Sequence, residues 1–569
     1  MKVTTKEIAT GDSSLSDNKV ITLSVLLMSI IPVFLFINRF LIPDWSFDVI
    51  NYHLINGSKG VTGFFRGFDI NSEFYPLGLY SFNNLYGTIS NYIINILGYR
   101  LGTIISLLAI VGSNYYLVKI ALNLNKNFFK KPLLAISLLL LVSVNLESYF
   151  EIATYYQDNI NTLFHIASVF YLLKSFNGEE VNFKYQIVSA TIIGISLFSK
   201  NTSIIFAIPI TIVFIFKYLV TSKPKIAKLA ILTLIIYLPF FIQSLDKYLL
   251  TGNPTFPFYN NIFKSVYYME KSYTFPFGPS NLKDYILWPI YAFTQPERYG
   301  EIQGLYNDGK ITIYMFSLVI LFARNIIKKE KISIKELVLI SSLVQSYLIW
   351  LVLFGYSRYG ISLELLMGIL VVSKIINTRN VKDKLFLLTI IITLLTISHK
   401  ILIFNLDYDY GARPTLYSNP PLYKSQYRYL KLKKNISNES LVDKANNADI
   451  ILNFYNGPDS RNGFYTTVLT KPKPMLFVED SAKRFGFTQK YIDKTNETLK
   501  EYFGKESVSF FAICFQHDKN KDFTECENEI TKSNKYAIKE YEDVSNFVGY
   551  SYPGKDYIFR YYIGKYKIN

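Results

Sequence analysis

Apolar residues in the first 400 positions form long runs separated by polar and basic connections. Runs of this length match the roughly 20 residues that a helix needs to cross a hydrocarbon core of about 30 Å. About eleven such runs are present, so the pattern predicts an all-α polytopic membrane bundle and excludes one soluble core. The predicted spans are residues 20–42, 101–122, 132–146, 159–173, 185–198, 202–216, 229–245, 311–327, 337–354, 359–372 and 385–404.

Two connections, residues 43–100 and 246–310, are much longer than ordinary loops. The first mixes apolar and aromatic residues with Asn, Ser and Gly, which favours helices lying in the membrane interface. An additional span at residues 81–97 is the alternative, but it would move every later connection to the opposite side of the membrane. The second connection is rich in Pro, Tyr and Phe, and we expect it to form a folded cap over the membrane face.

The tail, residues 405–569, has a different pattern from the rest of the chain. Short apolar runs at residues 450–455, 475–478 and 509–515 alternate with charged stretches, which predicts a small α/β or α+β domain. No phosphate loop, dinucleotide fingerprint or metal-ligand spacing occurs there. We therefore predict three parts: an N-terminal tail (1–19), a transmembrane domain (20–404) and a soluble C-terminal domain (405–569).

Charge sets the predicted orientation. The formal net charge is +17, and Lys and Arg concentrate in alternate short connections, as the positive-inside rule predicts for the cytoplasmic face. The excess charge therefore indicates orientation in a cell membrane, and we expect no nucleic-acid partner. The N-terminus is predicted to be cytoplasmic and the tail extracytoplasmic. The two cysteines, Cys514 and Cys526, lie in that tail, where they form either a disulfide or two separate thiols.

Acidic residues occur at the predicted outer ends of two spans. Asp48 follows the first span together with Tyr52 and His53, and in a helix Asp48 and Tyr52 would lie one turn apart on one face. Asp158 begins the fourth span, with Glu151 about two turns before it. Each acid could simply cap a helix, since carboxylates accept hydrogen bonds from free backbone amides. An ionisable residue at a membrane boundary is also a functional candidate, and the two roles are compatible.

Two cations occupy the same lysine-poor side. Lys200 lies in the turn between the fifth and sixth spans, and Arg358 lies in the turn after the ninth. Each either extends its charge to the lipid headgroups or binds an anion such as a lipid phosphate. Two acids and two cations on one face suit group transfer from a phosphorylated lipid. A carboxylate would take the proton of an acceptor hydroxyl, while cations would stabilise charge on the departing phosphate.

This arrangement resembles the GT-C class of polytopic glycosyltransferases, which use sugars carried on polyprenyl phosphates. The resemblance covers roughly residues 20–404. It rests on short motifs at Asp48, Tyr52 and His53, at Tyr156, Gln157 and Asp158, at Ser199 and Lys200, at Arg358 and Tyr359, and at the G-N-P-T-F-P turn that contains Asn253.

The resemblance implies that Asp48 is the catalytic base. From these motifs and their placement on one predicted face, we predict that Asp158 is a second catalytic carboxylate and that Tyr52, His53, Lys200, Arg358 and Asn253 bind substrate. GT-C members often carry paired acids in the first loop, whereas Val49 follows Asp48 here, so no metal site is predicted. If a divalent cation is used as a cofactor, Asp48 and Asp158 are the carboxylates expected to hold it.

The expected function is transfer of a sugar, with inversion, from a polyprenyl phosphate donor in the membrane lipid to a glycan, lipid or protein acceptor. A lipid-linked saccharide flippase or other transporter is one alternative, but it predicts broken helices and related halves, and no internal repeat is visible. An oligosaccharide polymerase or ligase is a second alternative, although such proteins usually lack a long folded tail. A noncatalytic scaffold for envelope assembly is a third.

Overall fold

The computed structural model describes most of the predicted transmembrane domain and parts of the tail. The described residues are 13–40, 84–176, 181–219, 225–256, 258–270, 278–299, 309–329, 331–377, 443–444, 447–453, 475–477, 483, 486–516, 538–543, 548–552 and 555–568. The predictions for Asp48, Tyr52, His53, Cys526 and the eleventh span therefore lie outside the described residues.

The apolar runs form helices. All predicted spans up to residue 372 coincide with helices, and seven helices of the described residues are long and apolar enough to cross a membrane. The polytopic helical fold is thereby confirmed, whereas the total of eleven spans stays a prediction. The helices are α1 Ser13–Arg39, α2 Asn84–Leu101, α3 Ile104–Leu124, α4 Pro132–Ser143, α5 Leu146–Phe150, α6 Asp158–Ser175, α7 Phe183–Ser199, α8 Ile204–Leu219, α9 Ile226–Thr251, α10 Asn260–Phe263, α11 Leu282–Thr294, α12 Lys310–Ile327, α13 Ile334–Leu353 and α14 Ile361–Asn377.

Local sequence fixes several helix ends. Helix α13 begins with a capping box, in which the Ser333 hydroxyl accepts a hydrogen bond from the Glu336 amide and the Glu336 carboxylate accepts one from the Ser333 amide. Helix α9 ends at Gly252, whose φ of 73° places it in the left-handed region that glycine adopts without steric cost. These ends delimit the turns that carry the polar residues.

The helices bury apolar side chains against one another and expose others on the outer surface. Leu117, Ile193, Phe214 and Leu366 are fully buried, while many large apolar side chains remain exposed, as expected for contact with lipid tails. A small residue permits a close helix contact: a Cβ atom on Gly194 of α7 would lie 2.6 Å from the Ile235 carbonyl oxygen of α9. The polar turns are therefore held on a rigid bundle.

The first long connection contains helix α2, which is kinked at Gly98. Its Tyr86 side chain is buried against Ala109 and Ile160, and its hydroxyl donates a 3.3 Å hydrogen bond to the Tyr156 carbonyl oxygen. Among the described residues α2 is not one of the seven strongly apolar helices. The interfacial placement predicted for this region stays a prediction.

The tail contains a mixed sheet and one helix among its described residues. The elements are β1 Ile450–Asn453, β2 Met475–Phe477, α15 Gln489–Phe503, β3 Ser507–Gln516, β4 Ile538–Asp543, β5 Val548–Tyr552 and β6 Lys555–Lys567. The strand order is β2-β1-β3-β6-β4, with β5 also paired to β6. Strand β1 is parallel to β2 and β3, whereas β6 is antiparallel to β3, β4 and β5. The three apolar runs of the sequence coincide with β1, β2 and β3.

The tail is docked on the second long connection. Phe256 and Tyr268 of that connection pack with Phe487 and Tyr491 of the tail. The Met269 amide donates a 2.8 Å hydrogen bond to the Gly486 carbonyl oxygen. This contact joins the second long connection to the tail.

Candidate functional site

Three segments that are distant in sequence bring their charged side chains together. Asp158 starts α6, Lys200 caps the carboxyl end of α7, and Arg358 lies in the short turn Ser357–Gly360 before α14. The Lys200 ammonium group donates a hydrogen bond to Asp158 Oδ1, and Arg358 Nε lies 3.4 Å from Asp158 Oδ2. We call Asp158, Lys200 and Arg358 the charged cluster. The sequence predicts that these residues share one face, and the structure places them in contact, while their roles stay predictions.

The charged cluster is largely withdrawn from solvent. The Asp158 side chain is 5% exposed, that of Arg358 is 11% exposed and that of Lys200 is 17% exposed. Electrostatic interactions strengthen when water is excluded, and burying a charge without a partner is costly. Both cations are therefore mostly buried, and Lys200 is the more accessible of the two.

Hydrogen bonds next to the charged cluster fix the helix ends that carry it. The Gln157 amide group donates to the Ser199 hydroxyl, which ties the start of α6 to the end of α7. The Lys200 amide donates to the Ser196 carbonyl oxygen at 2.8 Å, and its own carbonyl oxygen accepts from the Ser203 amide at 3.0 Å. The position of Lys200 is thus set by its backbone, so that its side chain is placed toward Asp158.

Three tyrosine rings surround the cations. The Arg358 guanidinium carbon lies 4.8 Å from the centre of the Tyr156 ring, 5.3 Å from that of Tyr356 and 5.5 Å from that of Tyr359. The Lys200 ammonium nitrogen lies 4.8 Å from the centre of the Tyr359 ring. Aromatic faces attract cations without neutralising them. The rings therefore help to hold the cations in place without neutralising their charge.

Glu151, which the sequence places about two turns before Asp158, also belongs to this site. Its side chain is completely buried, and both oxygens lack a hydrogen-bond donor among the described residues. Burial, and then the negative charge of the neighbouring Asp158, raise the pKa of the Glu151 carboxyl well above its ordinary value. A protonated Glu151 carries no negative charge and therefore does not repel the neighbouring Asp158 carboxylate. Its position two turns before a helix-starting acid, within an aromatic stretch, is the signal that could reveal it.

The segment that carries Glu151 is anchored on both sides. Arg39, at the end of α1, donates from Nη1 to the Tyr149 carbonyl oxygen at 2.6 Å. Ala153 has a φ of 62°, a left-handed conformation that costs a non-glycine residue about 1–2 kcal/mol, and its amide donates to the Ser106 hydroxyl at 3.0 Å. The Ser357 hydroxyl donates to the Glu147 carboxylate, which connects the same segment to the turn of Arg358.

Asn253 lies elsewhere, in the turn after α9. Its side chain is fully buried, and its amide oxygen accepts a 2.9 Å hydrogen bond from the Thr255 amide. Its amide nitrogen donates to the Phe258 carbonyl oxygen at 3.0 Å and to Asn260 Oδ1 at 3.2 Å. These contacts give Asn253 a local structural role in building the turn. Its predicted contact with substrate stays a prediction.

The donor set of the described residues does not fit a metal site. No group of three or more His, Cys, Asp or Glu side chains within the described ranges is arranged to hold a metal ion. The Asp158 carboxylate, the candidate ligand among these residues, is contacted by two cations that would repel a divalent ion. We therefore derive no step through a metal.

Solved structures share the fold of this chain, although the sequence matches no protein-family model and no curated protein sequence. The apo oligosaccharyltransferase of Archaeoglobus fulgidus is similar with a TM-score of 0.51 and 11% identity, over 88% of this chain and 70% of that chain. ArnT of Cupriavidus metallidurans bound to undecaprenyl phosphate is similar with a TM-score of 0.48 and 9% identity, over 96% of this chain and 98% of that chain.

Identity this low bears on the fold alone. The match shows that this chain shares the fold of the Archaeoglobus fulgidus oligosaccharyltransferase. The predicted resemblance to the GT-C class is thereby confirmed at the level of the fold.

Proposed function

We propose that this protein is an integral membrane glycosyltransferase that moves a sugar from a polyprenyl phosphate donor to an extracytoplasmic acceptor. The observation that carries the proposal is the convergence of Lys200 and Arg358, from separate turns, on one buried site flanked by tyrosine rings. Two fixed cations at a helix boundary match the chemistry of a lipid phosphate, which combines a negative headgroup with an apolar tail. The GT-C fold supports the same class of reaction, because one protein with this fold is an oligosaccharyltransferase.

The charged cluster is suited to stabilising the lipid phosphate as the leaving group. In the proposed step the acceptor hydroxyl oxygen bonds to the anomeric carbon, and the bond between that carbon and the phosphate oxygen breaks with inversion. The electron pair leaves with the lipid phosphate, whose growing negative charge Lys200 and Arg358 stabilise. Asp48 is assigned as the base that takes the acceptor proton.

The remaining assignments concern positioning. Asp158, Tyr52 and His53 would orient the sugar hydroxyls or the acceptor. The extramembrane unit formed by the second long connection and the tail would select the acceptor, which is a glycan, a lipid or a protein. The docking of Phe487 against Tyr268 supports this assignment, since it keeps the tail at the membrane-side cap.

Turnover by purified protein in lipid nanodiscs tests the proposal. Polyprenyl phosphate sugars extracted from membranes are supplied as donors, and release of free polyprenyl phosphate is measured by mass spectrometry. Wild-type protein should release it when acceptor-containing extract is present, and Asp48→Asn should abolish release without lowering the amount of folded protein.

The outcomes separate the alternative functions. Release that persists in Asp48→Asn would refute the assignment of the base. A protein that moves the lipid across the bilayer without cleaving it is a flippase, and one that does neither is a scaffold. Either result would overturn the proposed transfer.

A further inference from the structure

The two cations of the charged cluster share one acidic partner. Lys200 and Arg358 approach different oxygens of the same Asp158 carboxylate. Nearly all of this carboxylate is withdrawn from solvent, so its negative charge offsets the cations where water cannot. Without Asp158, two positive charges would stand close together with little hydration.

The Asp158 carboxylate is incompletely satisfied. Oδ2 accepts no hydrogen bond from the described residues, although Arg358 Nε lies 3.4 Å away. The fully buried carboxyl of Glu151 lies beside the same group. A buried acceptor with unused hydrogen-bonding capacity is held less firmly than a saturated one. Another anion can therefore compete with Asp158 for Lys200 and Arg358.

A phosphate offers the same kind of oxygen acceptors as a carboxylate, and it offers more of them. We propose that Asp158 is an exchangeable counter-ion that pairs with Lys200 and Arg358 before the donor binds and yields at least one of them to the donor phosphate. This inference rests on the proposed function, and it assigns Asp158 a positioning role. Once released, the Asp158 carboxylate is able to turn toward the sugar or the acceptor. Binding of the phosphate therefore also repositions Asp158.

The chain contains a matched control pair. Asp284 and Arg298 form another buried acid–cation contact, but Asp284 Oδ2 also accepts hydrogen bonds from the Ser280 amide at 3.0 Å and from the Ser280 hydroxyl at 2.6 Å. This carboxylate is saturated and lies outside the charged cluster. Neutralising it should leave phosphate binding unchanged.

The test measures the dissociation constant of undecaprenyl phosphate in nanodiscs by native mass spectrometry. Asp158→Asn should bind the lipid about tenfold more tightly than wild type, because one competing unit charge is removed. Asp284→Asn should bind like wild type. A folded Asp158→Asn variant that binds with equal or weaker affinity would overturn the inference. If wild type itself does not bind, the proposed function fails, which is a separate result.

A second comparison covers the case in which Asp158→Asn alone folds poorly because Lys200 and Arg358 lose the negative charge of Asp158. The double variant Asp158→Asn/Lys200→Met removes one charge of each sign and keeps the balance. It should bind undecaprenyl phosphate several-fold more tightly than Lys200→Met, because Asp158 then no longer competes with the phosphate for Arg358. Equal affinities of the single and double variants would refute the exchange.

Discussion

The charged cluster and the Asp284–Arg298 pair are both buried acid–cation contacts, yet their carboxylates are satisfied very differently. Arg298 reaches both oxygens of Asp284, with Nη1 3.2 Å from Oδ1 and Nη2 bonded to Oδ2, and Ser280 adds two more hydrogen bonds. Asp158 instead meets two cations, accepts no hydrogen bond at Oδ2 from the described residues, and adjoins another acid.

The difference separates a structural pair from a binding site. In the Asp284–Arg298 pair one charge of each sign cancels, and bidentate geometry uses the carboxylate fully. In the charged cluster, two cations contact different oxygens of one carboxylate, and Asp158 Oδ2 accepts no hydrogen bond from the described residues. Burial alone therefore does not identify a functional acid, whereas burial combined with unused hydrogen-bonding capacity is a stronger indication.

The largest contrast is expected from removing one cation in each region. Lys200→Met should lower sugar transfer by about 100-fold or more, the usual effect of removing a group that stabilises transition-state charge. Arg298→Met should instead lower the melting temperature, because it leaves the buried Asp284 without its partner, while transfer per folded molecule stays near wild type. Turnover and thermal melting of both variants check this. If Lys200→Met and Arg298→Met lowered sugar transfer equally, the two regions would not differ in function.

The next effect concerns the packing that joins the two regions. Gly278 has a φ of 101°, and a Cβ atom there would lie 2.6 Å from the Phe354 carbonyl oxygen, just before the turn of Arg358. Gly278→Ala should destabilise the protein by about 1–3 kcal/mol through strain and overpacking. Gly252→Ala is the control, since Gly252 also has a positive φ but a Cβ there would meet nothing within 4 Å. Denaturation that shows no difference between the variants would rule out the clash.

A smaller effect on lipid binding is expected from removing a tyrosine ring that contacts the cations. Tyr359→Leu should weaken binding of undecaprenyl phosphate several-fold, since a cation–π contact at a partly exposed site contributes about 0.5–1 kcal/mol. Tyr359→Phe keeps the aromatic face and should bind like wild type. Tyr291→Leu, which removes a ring 4.6 Å from Arg298, should leave lipid binding unchanged. If the phenylalanine variant is as weak as the leucine variant, the hydroxyl is the group that matters.

The smallest effects are opposite pH dependences. The pKa of Glu151 is raised by burial and by Asp158, so the stability linked to its neutral form is lost as pH rises above the ordinary value of 4.5 and through the folded pKa. The pKa of Asp284 is lowered by Arg298 and Ser280, so its contribution is lost as pH falls below 3.8. As pH rises, the melting temperature of Glu151→Gln should therefore fall less than that of wild type. As pH falls, the melting temperature of Asp284→Asn should fall less than that of wild type. If Glu151→Gln were protected at low pH and Asp284→Asn at high pH, both pKa shifts would be contradicted.

The helices and the convergence of three site residues follow from the sequence. Apolar runs locate the spans, and the alternation of basic connections puts Asp158, Lys200 and Arg358 at the same ends of their helices. The direct Asp158–Lys200 contact does not follow, because the rotation of each helix about its axis depends on packing such as the Gly194–Ile235 approach.

Other features are hidden for specific physical reasons. The sequence places Glu151 near Asp158 along the chain, but the burial of Glu151 and its approach to Asp158 depend on the fold of the segment between them, which includes a left-handed Ala153. The turn containing Asn253 is recognisable, but its internal hydrogen bonds depend on how residues 253–260 fold back. The Asp284–Arg298 pair joins residues across a helix and the turn that follows it, a separation that no short motif records.

The most direct test of the phosphate site is a cryo-electron microscopy structure of the protein in nanodiscs with undecaprenyl phosphate bound. We predict that the lipid phosphate lies within hydrogen-bonding distance of both Lys200 and Arg358, with the Asp158 carboxylate turned away from at least one of them. A phosphate bound elsewhere, with Asp158 still paired to both cations, would contradict the account.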